Sequence, residues 1–544
     1  MNFTKVRGQQ TNLFMNRSHR SIAKSASIIG FATLCSRLLG FIRDVVIARI
    51  FGVYVYAQAF VIAFRIPNLF RDLVGEGATN AAFVPVFSEY SVKHTKEEFW
   101  ELANVVLNLM LVIVSAITVL GIIFSPFIVR VIAPGFISDP QKLETTVRLN
   151  RIIFPYILLV SLAAYSMGIL NSLQHFSLPA FAPCLLNISI ILFALLFGEG
   201  IKGLASGVLV GGFLQLAVQI PVLYKKGFRL RLFLRRFKHP QALIIGRLML
   251  PRLFSSCIYQ LNNFVDSIFG SLAWIVGEGG VAGLYFSYRL IQFPLGIFST
   301  ALSQAILPTL SCQALEDNLD KLKQTLSFGL RATFLVMLPA SVGFMLLAHP
   351  IISTLFQGGR FDAYAADITA QALFFYSIGL VAYGITKVLQ SCFFALKDTV
   401  TPSKISLLAL IVNIILNTIL VFPMKLAGLA LATSLSGINT CLILFFILKT
   451  KLKPFDGKSI LFSFIRILCA SICMGGVCYF VAKNSFLPRL GILNRIINLA
   501  LPILSGLLSY IIFCFIFRVS EMQELWRWLG RHKGTVPVRA KTES

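Results

Sequence analysis

Apolar residues dominate the chain in runs of helical length, separated by short clusters of charge, glycine and proline. The runs fall near 25–49, 58–88, 99–132, 145–172, 178–198, 203–224, 242–275, 281–309, 325–356, 366–396, 402–422, 426–448, 459–482 and 493–518. A helix of about 20 apolar residues crosses the hydrocarbon core of a bilayer, so the pattern predicts an all-α transmembrane fold of fourteen helices. Several runs exceed that length, and tilt, bends or extensions into water are expected for them. The interruptions leave no stretch for a soluble domain.

The pattern repeats. FPYILLVSLAAYSMGILNSLQHF from Phe154 resembles FFYSIGLVAYGITKVLQSCFFAL from Phe374 at an offset of 220, and each leads into a proline-containing turn and an apolar helix that bears asparagine. Phe64 to Ile66 aligns with Tyr288 to Leu290 at 224, and Pro85 with Pro308 at 223. The agreement predicts two pseudo-symmetric six-helix bundles, 1–224 and 242–450, around a central cavity, as in transporters built from parallel repeats. A basic linker over 225–241 joins them, two further helices occupy 451–518, and a basic tail fills 519–544.

Composition agrees with this reading. Of 544 residues, 57% are hydrophobic and 13% charged, about half the charged share of a soluble domain. The net charge of +27 would suggest nucleic acid as the partner of a soluble chain, but its placement excludes that. The excess collects between apolar runs, as in Lys225, Lys226, Arg229, Arg231, Arg235, Arg236 and Lys238, where the positive-inside effect places cations. Attraction to anionic lipid headgroups is a second, compatible reading. Both termini are basic, and an even helix count sets both on the cytoplasmic side, together with the linker and Lys449, Lys451, Lys453 and Lys458. The first apolar run follows basic residues as a signal peptide would, yet it continues into SRLLGFIRD without a small-residue cleavage site and reads as a retained helix. The ten cysteines lie mostly within apolar segments without CxxC spacing, and the six histidines are scattered. Neither set resembles a metal site.

Charges inside the apolar runs carry the chemistry. A charge at a helix centre costs roughly 2.5 to 3.5 kcal/mol on insertion scales, so such residues usually face a cavity or a partner. Arg37, Arg43, Asp44 and Arg49 lie in or near the first helix, Arg65, Arg71, Asp72 and Glu76 in the second, and Arg289 in the eighth. The spacing of seven from Arg37 to Asp44 and from Arg65 to Asp72 returns to one helix face, so some charges can pair. Headgroup snorkelling and local pairing account for individual arginines, but six cations against three anions leave a surplus that a polyanion would neutralise. Arginine suits that role because its planar fork stays ionised and binds phosphate bidentately. Gly40, Pro67, Gly75, Gly77, Pro294 and Gly296 stand beside these charges and permit bends, whereas Gly207 and Gly211 read as close helix packing.

SRLLGFIRDVVIARIFG from Ser36, AFRIPNLFRDLVGEGATNAAFVPVFSEY from Ala63, FPYILLVSLAAYSMGILNSLQHFSLPAFAPCLLNIS from Phe154 and YRLIQFPLGIFSTALSQAILPTLS from Tyr288 resemble the signatures of the MurJ (MviN) family. The resemblance spans both halves. It implies a member of the multidrug, oligosaccharidyl-lipid and polysaccharide exporter superfamily in a bacterial inner membrane. Such a protein moves lipid II, the undecaprenyl-diphosphate-linked peptidoglycan precursor, to the outer leaflet by alternating access, without catalysis and without a cofactor. Motif by motif, Arg37, Arg43, Arg71 and Arg289 correspond to the family's cavity arginines, with Ser36, Asn68 and Glu76 as their neighbours and Arg65 beside them. The last two helices correspond to a groove for the lipid tail. Gln58, Asp72 and Gln292 depart from the residues usual at their places, which bears on coupling to sodium, protons or membrane potential. Asp266, Asn413, Asn417 and Thr433 are the counterparts of a sodium site, with polar helix packing as the plainer reading. Expected partners are lipid II, membrane lipids and other cell-wall synthesis proteins.

Three other functions compete. A drug or cation antiporter, or an exporter of another polyprenyl-linked saccharide, shares the superfamily, but an antiporter of cations favours acidic cavity residues. A membrane enzyme acting on polyprenyl phosphates needs a nucleophile or a metal cluster at a membrane face. A scaffold without transport leaves the buried charges without purpose. The segment SEMQELWRWLGRHKG near the end reads as either an amphipathic interfacial helix or a disordered basic tail.

Overall fold

The computed structural model describes residues 3–71, 82–198, 200–231, 239–316, 318–452, 457–484 and 492–531, with side chains from residue 27 onward except at 201, 250–259, 492, 525 and 528–531. Among the described residues the fold is helical, with no strand beyond a single bridge between Gly358 and Phe361. The chain forms two compact units, one of Met1–Trp274 with Gly358–Phe361 and the other of Ile275–Gln357 with Asp362–Ser544.

The first unit contains α1 (Phe3–Phe51), α2 (Val55–Phe70), α3 (Val84–Lys93), α4 (Lys96–Ile123), α5 (Ser125–Ile132), α6 (Pro140–Ile153), α7 (Tyr156–Ser172), α8 (Ser177–Phe197), α9 (Ile201–Ala217), α10 (Ile220–Lys225) and α11 (Pro240–Gly270). The Thr95 hydroxyl and the Glu98 carboxylate form a capping box that starts α4, satisfying amide groups a helix N-terminus leaves open. α8 packs between α1 and α9. A Cβ on Gly207 would stand 2.8 Å from the Ile190 backbone, and one on Gly211 2.8 Å from the Leu186 side chain. These two glycines therefore set the approach of α9 to α8, the close packing expected of them. A second cluster joins Phe83 and Phe87 of the α3 region, Phe99, Leu102 and Ala103 of α4, and Tyr165 and Ile169 of α7.

After the short turn α12 (Ala273–Val276), the second unit contains α13 (Gly280–Pro294), α14 (Thr300–Leu315), α15 (Leu319–Leu346), α16 (Ala348–Leu355), α17 (Ala363–Ala395), α18 (Val400–Lys451), α19 (Gly457–Lys483), α20 (Ile492–Ile516) and α21 (Ser520–Arg531). α17 lies at its centre, against α13, α14, α15, α16 and α18. Buried hydroxyls link these helices: Ser341 donates to the Ser377 carbonyl at 2.6 Å, and Ser434 to the Phe375 carbonyl at 2.7 Å. Pro294 precedes a π-helical stretch, Leu295–Ser299, between α13 and α14, so the expected bend beside Arg289 takes the form of a wide turn. α18 is two limbs meeting at Lys425, whose φ of 51° and ψ of −129° interrupt the helix two residues after Pro423.

Ten helical stretches among the described residues are long and apolar enough to cross a membrane, against fourteen expected spans. The difference follows from charge and length. Val400–Lys451 is one of the ten yet holds two of the expected spans. α2 has only 16 residues. α1 carries Arg37, Arg43, Asp44 and Arg49 within its apolar run, and α11 includes side chains beyond those described. Of the C-terminal segment, residues 532–544 lie outside the described residues, and Ser520–Arg531 is helical as α21. Its Glu521 is buried, pairs with Arg331 of α15 at 3.1 Å and accepts from the Ser463 hydroxyl of α19 at 2.9 Å.

Candidate substrate site

In the first unit the site residues lie on α1 and α2. Arg37 is exposed and Ser36 half-buried, while one turn and a half further on Arg43 and Asp44 are buried, at 2% and 0% exposure. Adjacent helical residues point about 100° apart, but the long arginine side chain turns back onto its neighbour. Its Nε and Nη2 donate to Asp44 Oδ1 at 3.0 and 2.8 Å, and Nη1 donates to Asn187 Oδ1 on α8 at 3.1 Å. Asn187 Nδ2 in turn donates to the Ser36 carbonyl at 3.1 Å. Asp44 thus takes its charge partner from Arg43, and the guanidinium expected in a cavity is enclosed between α1 and α8. A buried ion pair of this kind needs every donor and acceptor satisfied to offset the loss of water.

On α2, Arg65, Asn68 and Arg71 are half-buried. Arg71 caps the helix, donating its backbone N–H to the Asn68 and Pro67 carbonyls. Pro67 lacks an amide hydrogen, so the turn before it loses a helical hydrogen bond, while the Arg71 backbone stays helical. Gln58, on the same helix, is buried at 2% exposure, and its Nε2 has no hydrogen-bond partner among the described residues. Asp72, Gly75, Glu76 and Gly77 lie outside the described residues. Arg49 closes the helix that bears Arg37, and its carbonyl accepts the Arg360 amide at 2.9 Å.

Arg289 belongs to the second unit. It is half-buried on α13, with its guanidinium carbon 5.5 Å from the centre of the Tyr285 ring one turn earlier. Such a contact holds a cation without neutralising it.

The four residues expected of a sodium site divide. Asp266 lies on α11 in the first unit and is half-buried. In the second unit, Asn413 Nδ2 donates to the Thr433 hydroxyl at 3.2 Å, and Asn417 Nδ2 donates to Asn413 Oδ1 at 3.0 Å. Asn413 and Thr433 stand on the two limbs of α18, so this chain ties the limbs together. Its oxygens are neutral; the Asn413 oxygen already accepts a hydrogen bond, and the buried Asn417 Oδ1 has no hydrogen-bond partner among the described residues. The arrangement fits interhelical packing better than a cation, since hard cations favour carboxylate oxygens. Among the described residues no cluster of three or more His, Cys, Asp or Glu side chains could hold a metal.

Asn187 is the site residue that sequence reasoning did not single out. Its one signal is an amide inside the apolar run LLNISIILF, and its partners lie 144 and 151 residues away.

The profile of the family described as "Lipid II flippase MurJ" matches residues 47–499. The chain belongs to the MurJ family. Ser36, Arg37 and Arg43 lie ahead of the matched residues. A protein of Buchnera aphidicola subsp. Acyrthosiphon pisum named a probable lipid II flippase MurJ is 35% identical over 487 residues, 88% of this chain and 94% of its own length. The lipid II flippase MurJ of Burkholderia cenocepacia is 35% identical over 468 residues, 84% of this chain and 89% of its own. A solved lipid II flippase MurJ in an inward closed conformation superposes with a TM-score of 0.76 at 30% identity, covering 90% of this chain and 98% of that one. An inward-facing multidrug transporter of the MATE family, at 17% identity and a TM-score of 0.63, shares the fold. The family and the apolar helices make this chain a multi-pass membrane protein and a transporter.

Proposed function

We propose that this chain moves lipid II from the inner to the outer leaflet of the bacterial inner membrane by alternating access. Membership of the MurJ family over most of the chain carries this reading, and the placement of its arginines supports it. Arg37 is exposed within the apolar run of α1, and Arg289 lies half-buried against a tyrosine ring. Both suit transient binding of a diphosphate, whose charge a guanidinium matches bidentately. Arg65 and Arg71 stand beside Arg37 in this scheme. Arg43 serves instead to fix α1 against α8. No covalent bond is made or broken during transfer, and the cycle is reset by membrane potential or an ion gradient. Basic residues at both ends set both termini on the cytoplasmic side, and α19 with α20 lines the path of the polyprenyl tail.

Depletion of the resident flippase in a bacterium that carries this gene tests the reading. Arg37→Ala and Arg289→Ala should each fail to restore growth while reaching normal levels in the membrane. Full rescue by both variants would remove the arginines from the transport site.

A further inference from the structure

The cations after the sixth apolar run are mounted on the fold in a specific way. The candidate span Lys202–Lys225 ends at the first of them. Gly227 then turns the chain with a φ of 107°, and a Cβ there would stand 3.2 Å from Trp100 Nε1. Phe228 is buried, its ring 5.6 Å from that of Trp100. Beyond it, two buried asparagines of α4 grip the backbone. Asn104 Nδ2 donates to the Arg229 carbonyl at 3.1 Å and its Oδ1 accepts from the Arg231 amide at 2.8 Å. Asn108 Nδ2 donates to the Arg231 carbonyl at 2.9 Å.

The match is geometric. Asparagines four residues apart on a helix are separated by about 6 Å along its axis, and alternate residues of an extended chain by about 6.6 Å. The helix edge therefore acts as the neighbouring strand would for residues 229 and 231. A solvated tether would gain nothing from such a grip, because water satisfies its peptide groups.

The held segment presents exposed Lys225, Lys226, Arg229 and Arg231, flanked by Tyr224 and Leu230 at 42% and 47% exposure. Arg229 is ordered further, lying 5.6 Å from the Tyr224 ring centre and donating to the Tyr224 and Phe228 carbonyls at 3.3 Å. Among the described residues none of the four cations forms an ion pair with a carboxylate.

We propose that residues 224–231 form a rigid docking ledge for the headgroup phosphate of an anionic phospholipid, in the leaflet that meets the end of the Lys202–Lys225 span. Four cations without acidic partners among the described residues supply the charge complement. Tyr224 and Leu230 offer apolar surface to the adjoining acyl chains, and the asparagine grip holds the charges in place. Polybasic segments beside a span attract anionic leaflets in any conformation, so the particular claim is that order at Asn104 and Asn108 matters as well as charge. The inference does not depend on which substrate the transporter carries.

The full chain, purified in nanodiscs of mixed phosphatidylcholine and phosphatidylglycerol, allows the test, with bound lipid counted by native mass spectrometry. Replacing Lys225, Lys226, Arg229 and Arg231 with Gln should lower the preference for phosphatidylglycerol by at least about tenfold. Asn108→Ala, which keeps every charge and the Asn104 contacts, and the double change Asn104→Ala with Asn108→Ala should lower it in steps of a fewfold. Circular dichroism confirms that each variant is folded, and Asn108→Ala alone suffices where the double variant is not. An unchanged preference in the four-Gln variant overturns the site. Loss in that variant with full retention in Asn108→Ala reduces the ledge to diffuse attraction and overturns the proposal equally. Preferential displacement of phosphatidylglycerol from the ledge by a polyprenyl diphosphate would assign it to the transported lipid instead.

Discussion

Arg43 and Asp44 show how a charge in an apolar helix can be structural. The pair is enclosed, and the third contact of the guanidinium is an asparagine from another helix. Arg43→Ala would remove the guanidinium that makes two hydrogen bonds to the buried Asp44 carboxylate and should destabilise the fold. The expected outcome is little folded protein in detergent by size-exclusion chromatography. The double change Arg43→Leu with Asp44→Asn removes both charges and should recover most of the folded fraction. Recovery of the protein without transport would then separate packing from substrate contact. The sequence displayed the charges but not their roles. Arg43 and Arg37 look alike along the chain, and only the placement of Asn187, 144 residues away, distinguishes the enclosed arginine from the exposed one. Arg289 was equally visible, while its tyrosine support follows from the simple i to i+4 neighbour rule on a helix.

Among the elements, the loop between α17 and α18 shows how the helices are tied outside the membrane. Asp398 caps α18 by accepting from the Thr401 amide and hydroxyl, and it pairs with Lys451 at the far end of the same helix pair. The Lys451 ammonium, followed by the Thr401 donors, holds the Asp398 carboxyl well below the usual carboxylate range. A depressed folded-state value means that the stabilisation is present above the ordinary pKa of about 4 and fades as pH falls through the lower folded value. Asp398→Asn should therefore lower the melting temperature at pH 7, and the gap from the unaltered chain should close as the pH drops below about 4. A gap that widened on acidification would contradict this account of the loop.

The asparagine chain of α18 makes a different prediction. Asn413→Leu with Asn417→Leu removes the amides together, including a buried Asn417 Oδ1 that has no hydrogen-bond partner among the described residues, and should leave the helix pair folded, because replacing paired polar groups by apolar ones of similar size is close to neutral. Any sodium stimulation of transport by the unaltered chain should persist in that variant. Its loss would turn the packing chain into an ion site. At this scale the sequence was most informative at its breaks: the gap between the runs 402–422 and 426–448 falls on the Lys425 kink, and Pro294 stands beside the π turn. It was least informative about α21, because whether an amphipathic segment docks depends on Arg331 and Ser463, far from Glu521 along the chain.

For the whole molecule, the continuous apolar runs of about 20 residues conveyed the all-helical membrane fold, since membrane barrels, the other backbone that satisfies its hydrogen bonds in lipid, are built from alternating segments of about ten residues. The count of spans is harder to read, because the helices that carry the functional charges are those whose apolar character is diluted. Family membership supplies what hydropathy does not, the chemical nature of the cargo. The central claim is that an exposed guanidinium in the first helix receives the diphosphate of lipid II. Its most direct test is the rate at which labelled lipid II becomes accessible on the far side of proteoliposomes containing the purified chain or its Arg37→Ala variant. The account predicts flipping by the unaltered chain and a loss of at least about tenfold in the variant, in keeping with removal of a charge-assisted contact. Equal rates for the two proteins would contradict it.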